Sequence, residues 1–470
     1  MTGRYEAVIG LEVHMELSTR SKIFCACPTA FGAPPNTQCC PVCCGLPGAL
    51  PVLNRAVVEK AVRFGMAAHC DIAPVSIQER KNYFYPDLPK AYQISQYELP
   101  LCSGGYVDIV AGGERARIAL ERIHIEEDAG KLIHGEQGTL IDFNRCGVPL
   151  IEIVTRPELH TAEQAIALLK KLRAIALYTG ASEAAMERGQ MRCDVNLSLH
   201  MPGQPLGTRT EMKNLNSYSA VSRAIESECQ RQAAALERGE AILQETRRFD
   251  AGSGQTYTMR SKESDSDYRY FPDPDLPPVS VDRAMRERLS REIPRLPDER
   301  AAQYAADYGL SASEAERVTG RRDIADAFEA LVARGAQPHA AAVLLGDAHA
   351  HDGEVSFSAL DAEQGAHICD IMTRGGISHA TARALICELA RGSFDVDERI
   401  AARGLAQISD RAGLEQAVER AISANAAIVS RVRAGKSGAI NALVGMVMRE
   451  SGGRGNARVI REILAQLLAK

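Results

Sequence analysis

Tyr5-Glu-Ala-Val-Ile-Gly-Leu-Glu-Val-His-Met-Glu-Leu17 is the stretch that decides the fold class. Every odd position (Tyr5, Ala7, Ile9, Leu11, Val13, Met15, Leu17) is apolar or aromatic. A period of two predicts a strand with one buried face. Glu12 and His14 then share the other face. The pattern recurs downstream. Met191, Cys193, Val195, Leu197 and Leu199 form an apolar row against Arg192, Asp194, Asn196 and Ser198. Between Gly207 and Asn214, Arg209, Glu211 and Lys213 alternate with Thr208, Thr210 and Met212. Several strands presenting carboxylates and cations on one face predict a charged floor suited to a metal–nucleotide site.

With 470 residues the chain is too long for one core, and length alone suggests about three domains. Its 45% hydrophobic and 24% charged residues are those of an ordinary globular protein. The N-terminus lacks the basic-then-apolar order of a signal peptide, and no apolar run is long enough to span a bilayer. A cytoplasmic location, with no membrane partner, is the default. The net charge of −5 is unevenly spread: from Arg431 to Lys470 eight Lys/Arg face two Asp/Glu, which leaves about −11 on the remainder. A basic tail on an acidic body suggests an anionic macromolecular partner, although a solvated helix face would look the same.

Up to about Pro278 strand-like alternation mixes with isolated helices. Thr161-Ala-Glu-Gln164 predicts a capping box, followed by the stripe Leu168, Leu172, Ile175 and a stop at Gly180. A second helix is predicted from about Ser217 to Arg238, closed by Gly239. Phe271-Pro-Asp-Pro-Asp-Leu-Pro-Pro278 predicts irregular chain near a boundary. From about Arg295 to Arg399 the chain is Ala-rich and helical in pattern. The last segment predicts two amphipathic helices, one on Ile440, Leu443, Val444 and Val447, the other on Ile460, Ile463, Leu464 and Leu467, joined by Ser451-Gly-Gly-Arg-Gly-Asn456. The expected class is α+β: a body over 1–292 with an antiparallel sheet, an all-α domain over 293–405, and a small helical tail over 406–470.

Six of the 13 cysteines fall between Cys25 and Cys44. An odd count without a secretory signal argues against a disulfide framework. Cys25-Ala-Cys27 and Cys40-Pro-Val-Cys43 read as two chelating pairs able to surround one tetrahedral zinc, a closed structural site. The neighbours Cys39 and Cys44 leave the register open, and reduced, partly buried thiols are the alternative.

Arg122-Ile-His-Ile-Glu-Glu-Asp128 sets three acids after a strand-like run; strict alternation would group Glu127 with Ile123 and Ile125, so it either ends the strand or lies in an enclosed site. Glu152 is a lone acid in the apolar run Pro149-Leu-Ile-Glu-Ile-Val154. Such carboxylates are costly unless paired or metal-bound. Any one of them could be a salt-bridged structural acid; together with Glu12, His14, Asp194 and Glu211 they favour hard Mg²⁺, and Mg²⁺ suits phosphates. Arg192, Arg209 and Lys213, with Asn196 beside them, are candidate ATP-phosphate contacts. No P-loop or dinucleotide fingerprint is present.

These residues fall in segments that resemble a known family, the B subunits of the glutamyl/aspartyl-tRNA amidotransferases (GatB). Asp142-Phe-Asn-Arg-Cys-Gly-Val-Pro-Leu-Ile-Glu152 looks like its diagnostic segment. Ile9-Gly-Leu-Glu-Val-His14, Arg80-Lys-Asn-Tyr-Phe-Tyr-Pro-Asp87, Ala91-Tyr-Gln-Ile-Ser-Gln96, Glu126-Glu-Asp-Ala-Gly-Lys131, Lys213-Asn-Leu-Asn-Ser217 and Asp267-Tyr-Arg-Tyr-Phe-Pro272 surround it in family order. The tail matches through Lys436-Ser-Gly-Ala and Leu443-Val-Gly445, the middle only through Leu296-Pro-Asp-Glu-Arg300 and helical character, and residues 373–399 weakly.

The resemblance implies a cradle related to glutamine synthetase, a helical linker and a tRNA-binding tail. It implies ATP-dependent phosphorylation of the side-chain carboxylate on misacylated Glu-tRNA(Gln) or Asp-tRNA(Asn). Ammonia from a partner amidase (GatA), held together with a small third protein (GatC), then displaces phosphate. By similarity Glu12, His14, Glu127, Glu152, Asp194 and Glu211 are the Mg²⁺ ligands or their close neighbours, Lys81 and Lys90 line the ammonia route, and Cys25, Cys27, Cys40 and Cys43 hold zinc. A non-catalytic tRNA-binding scaffold is the competing reading, and it has no need of six acids and imidazoles so placed.

Overall fold

A computed structural model describes residues 4–261, 268–407, 411–433, 438, 440–451 and 455–468. The chain divides into two compact units, Met1–Leu296 and Pro297–Lys470.

The first unit is built on a ten-stranded sheet. In chain order its strands are β1 (Glu6–Glu16), β2 (Asp71–Ile72), β3 (Cys102–Ser103), β4 (Tyr106–Ala111), β5 (Glu114–Glu127), β6 (Pro149–Thr155), β7 (Met191–His200), β8 (Thr210–Leu215), β9 (Glu245–Asp250) and β10 (Gln255–Ser261). The spatial order is β10-β9-β8-β7-β1-β6-β5-β3-β2, with β4 also paired to β5. β1 lies centrally, antiparallel to β6 and β7. The expected period of two is realised: Ile9, Leu11, Val13 and Met15 of β1 and Met191, Cys193, Val195 and Leu197 of β7 are each at most 1% exposed. They pack with Leu168, Leu172 and Ile175 of α2 (Ala162–Thr179) and Val57, Ala61 and Val62 of α1 (Arg55–Ala67) in one continuous core.

The sheet departs from a purely antiparallel one at a single pair. β8 and β9 run parallel, Glu211 opposite Thr246, because α3 (Tyr218–Glu237) carries the chain back between them. The cap of α2 also differs in detail. Thr161 accepts from the Gln164 amide as expected, but the Gln164 side chain accepts from the His160 amide, one residue before the cap. Gly180 stops the helix at φ 64°, a conformation that suits glycine. The proline-rich run expected to be irregular contributes one short pairing, Phe271–Pro272 with Arg80 and Glu79, and just beyond it Val279–Ser280 pairs with Ser76 and Val75. A helix at Arg283–Glu292 follows before the boundary at Leu296.

The elements described in the second unit are all helices. Seven helices from Pro297–Tyr308 to Val396–Arg403 close around Phe328, Leu344, Leu345, Ile368 and Leu385. A separate apolar cluster gathers Leu414, Val418, Leu443, Val447, Ile460 and Leu464. Four described helices supply it, not the two expected: Arg411–Ala424 and Ala426–Arg433 precede Ile440–Glu450 and Ala457–Leu468. Residues 452–454 of the Gly-rich turn, Lys436 and Ser437 with Ala439 of the tail motif, and Asp267 lie outside the described residues.

Candidate active site

The polar face of the central strands assembles the site by register alone. Glu12 stands opposite Asp194, His14 opposite Glu152 on one side and Arg192 on the other, Glu152 opposite His124, and Asn196 opposite Glu211. Two groups of potential ligands result: His14, Glu126 and Glu152, and Glu12, Asp194 and Glu211. Within each group the donor atoms lie within 4.8 Å of one another. A cleft of about 620 Å³ opens beside them, lined by His14, Lys81, Glu126, Asp128, Arg192, Asp194 and Lys213 together with Tyr83, Tyr85 and Tyr268.

The electrostatics of this face are those of a cation site. In the first group Glu126 and Glu152 are buried, and His14 Nε2 lies 3.5 and 3.6 Å from them. His124, also buried, sits behind, 3.3 Å from Glu152 and 3.7 Å from Glu126. Burial alone would depress its basicity, but the charge of Glu152 and hydrogen bonds with both acids override this and push it up to about 9. Glu152 responds inversely: burial favours its neutral form, yet His124, His14 and Lys81 hold it well below the usual carboxylate range. In the second group burial, then the nearby charges of Glu152 and Glu211, push the Glu12 carboxyl up, although Asn196 donates to it at 2.9 Å. Lys213 is the partial remedy. Its ammonium lies 2.8 Å from Asp194 and 3.0 Å from Glu211, standing where a metal's charge would be welcome. An oxygen-rich donor set with one imidazole, crowded with negative charge, fits Mg²⁺.

A second potential centre lies in the loop after β1. The thiols of Cys25, Cys27, Cys40 and Cys43 converge within 4.8 Å, while Cys39 and Cys44 stay outside the group. Hydrogen bonding from Cys25 brings the Cys43 thiol down to about 4, against the opposing effect of burial; Cys27 is raised to about 11, chiefly by burial. Four sulfurs in this arrangement are the donor set of a closed structural zinc site.

Comparison with known proteins decides the family. Residues 7–287 match the GatB/GatE catalytic domain and residues 326–468 the GatB domain. The chain is 48% identical to the B subunit of the aspartyl/glutamyl-tRNA(Asn/Gln) amidotransferase of Caldicellulosiruptor saccharolyticus, 49% to that of an Anaeromyxobacter species and 46% to that of Solidesulfovibrio magneticus. Each match covers 99% of both chains. The chain belongs to the GatB family. GatB chains are parts of a ligase, an amidotransferase.

Within this GatB chain, β1, β6, β7 and β8 bring together Glu12, His14, Glu152, Arg192, Asp194, Asn196, Glu211 and Lys213. Glu127 is not with them. It shares the core-side parity of Ile123 and Ile125, pairs with Lys90, and accepts from the Ile94 amide at 2.9 Å. Its neighbour Glu126 takes the place in the ligand group. Alternation along β5 carried that signal, since Glu126 has the parity of His124. Lys90 is accordingly tied to Glu127, its ammonium 5.4 Å from the Tyr92 ring and 5.8 Å from that of Phe24. Lys81 does line the cleft, 4.9 Å from the Tyr268 ring centroid. Arg209 precedes β8, is exposed, and does not line the cleft. Asp128 was also missed as a site residue: buried at the end of β5, it holds Arg192 at 2.9 Å.

Proposed function

We propose that this chain carries out the carboxylate-activating and amide-forming half of an ATP-dependent tRNA transamidation. The observation that carries the reading is the pair of acidic groups in one cleft, ringed by Lys81, Arg192 and Lys213. The substrate is Glu-tRNA(Gln), Asp-tRNA(Asn) or both, and the ten-stranded sheet serves as a glutamine-synthetase-like cradle for its acylated end.

His14, Glu126 and Glu152 would hold one Mg²⁺, and Glu12, Asp194 and Glu211 a second. Mg²⁺, when bound, offsets the repulsion between the γ-phosphate and an attacking carboxylate. Arg192, fixed by Asp128, presents a rigid cationic fork to transferring phosphate, and Lys213 and Asn196 orient neighbouring oxygens. A side-chain carboxylate oxygen attacks the γ-phosphorus, the bond to the ADP oxygen breaks, and an acyl phosphate forms. Ammonia then attacks the acyl carbon and phosphate leaves with the C–O bond. The ammonia comes from a glutaminase partner, the amidase GatA, assembled with the small protein GatC, by a route that passes Lys81. The Cys25, Cys27, Cys40 and Cys43 group holds structural zinc, and the helices beyond residue 406 bind tRNA. No described helix is long and apolar enough to cross a membrane.

Hydroxylamine trapping in the assembled complex tests this reading. With ATP, misacylated tRNA and no glutamine, the aminoacyl side chain should be converted to its hydroxamate. Amide formation in a complete reaction, with no hydroxamate under trapping conditions, would overturn it.

A further inference from the structure

Lys22 is 0% exposed, an unusual place for an ammonium group. Among the described residues its ammonium makes two hydrogen bonds: Nζ donates to Cys43 Sγ at 3.6 Å and to the Phe143 carbonyl at 3.3 Å. A buried ammonium is costly unless an anion faces it. A neutral thiol would not meet that need; a metal-bound thiolate does. Cys43 Sγ also accepts from the Cys40 amide at 3.1 Å, a hydrogen bond that strengthens when the sulfur is a metal-bound thiolate, and it lies 3.5 Å from the Cys40 carbonyl. Four thiolates around a divalent ion leave a net charge of about −2, which one buried lysine partly offsets.

The second contact leads away from the cysteines. Phe143 belongs to the short turn Phe143–Arg145, stitched to the cysteine loop at several points. The Asn36 side chain accepts from the Phe143 amide at 2.8 Å, Asn144 accepts from the Gln38 amide at 2.7 Å, and the Ile23 amide donates to the Gly147 carbonyl at 2.9 Å. Gly147 sits at φ 75°, a backbone conformation that favours glycine, and its Cβ position lies in van der Waals contact with Lys22 Cδ and Cys43 Cβ at 3.6 and 3.7 Å. From this turn Arg145 reaches residues that line the cleft: its guanidinium donates to the carbonyls of Ala129 and Gly130 and lies 3.4 Å from Asp128, which holds Arg192. The Gly147 amide also donates to the Asp128 carbonyl at 3.0 Å.

We propose that Lys22 is a positioning residue joining the four-cysteine site to the active cleft: it neutralises the metal-bound Cys43 thiolate and, through the Phe143 carbonyl, fixes the turn that sets Arg145, Asp128 and Arg192. The zinc loop is then a clasp on the cleft as well as a local staple. The inference is independent of the reaction proposed above, because its readouts are metal retention and backbone protection.

The test uses the full chain in its complex with the partner proteins. Chelator competition measures zinc affinity for wild type, Lys22→Met and Lys22→Arg. Lys22→Met, similar in size and uncharged, should lose about 10–100-fold in affinity, and Lys22→Arg should recover most of it. Cobalt substitution gives a second readout, a shifted thiolate charge-transfer band in Lys22→Met. Hydrogen exchange on wild type with and without zinc should show faster exchange at the Asp128, Gly147 and Val148 amides on zinc removal, with Ile151 and Ile153 of β6 unchanged. Unaltered zinc affinity in Lys22→Met, or unaltered exchange at those three amides, would overturn the proposal. If Lys22→Met does not fold, the wild-type exchange comparison decides alone.

Discussion

Adjacent glutamates at the end of β5 should behave oppositely when neutralised. Glu126 and Glu152 have donor oxygens within 4.8 Å, so at an effective dielectric near 20 their repulsion is about 3 kcal/mol. His124, 3.7 Å from Glu126, returns about 4 kcal/mol. Glu126→Gln should therefore alter stability by only about 1 kcal/mol, while removing one of the two carboxylates from its ligand group and weakening divalent-ion binding at least about tenfold. Glu127→Gln breaks a buried ion pair and strands Lys90, which should cost about 3–5 kcal/mol. Because 1 kcal/mol moves the melting temperature of a large domain by about 2–4 °C, that variant should melt roughly 6 °C or more below wild type. The chain has no tryptophan, so far-UV circular dichroism is the natural melting probe, with calorimetric titration of Mn²⁺ for metal affinity. Glu126→Gln should bind metal poorly and melt nearly normally; Glu127→Gln should melt early and, while folded, keep its metal affinity. The reverse pattern would refute the assignment of faces along β5.

Other outcomes follow from the same geometry. Purified protein should contain about one equivalent of zinc, lost on Cys40→Ser and retained on Cys44→Ser; elemental analysis finding no zinc in protein prepared without chelator would remove the four-cysteine assignment. Glu228, 0% exposed, accepts from Arg231, Thr210, Gln232 and Thr256; against the penalty of burial these bonds hold its carboxyl below the ordinary range. A depressed folded pKa gives stability that is complete above the unfolded value of about 4.3 and lost as pH falls through the folded value. Urea unfolding of Glu228→Gln should accordingly show a weaker loss of stability below about pH 4.3 than wild type, and matching slopes would count against the depressed pKa. Removing the residues after Ala406 should weaken tRNA binding and flatten its dependence on salt while sparing ATP binding, and an unchanged tRNA affinity would argue against the tail as the RNA-binding part.

The central sheet was legible because its residues obey one simple geometry. Alternation in β1 and β7 requires Glu12, His14, Asp194 and Asn196 to face away from the core, and the structure keeps them there. The same rule applied to β5 favours Glu126 over Glu127, yet an acid grouped with Ile123 and Ile125 reads equally well as a site residue in an enclosed pocket. Only the partner distinguishes the two, and Lys90 lies 37 positions away in sequence. Arg209 was misleading for a different reason. Its place with Glu211 and Lys213, alternating with Thr208, Thr210 and Met212, suggests a strand position, but β8 begins one residue later and leaves Arg209 exposed. The parallel pairing of β8 with β9 and the contact of Lys22 with Cys43 depend on how distant segments meet, which local periodicity does not encode. Extra helices at Arg411–Ala424 and Ala426–Arg433 escaped notice because their apolar stripes are short and rich in alanine.

The most direct test of the account follows the side-chain oxygen. Misacylated tRNA carrying ¹⁸O in both oxygens of the side-chain carboxylate should be amidated by the complete complex with ATP and glutamine, and the inorganic phosphate analysed by mass spectrometry. Attack of that carboxylate on the γ-phosphorus predicts one ¹⁸O in each phosphate released with the amide. Phosphate free of ¹⁸O would contradict carboxylate activation at this cleft.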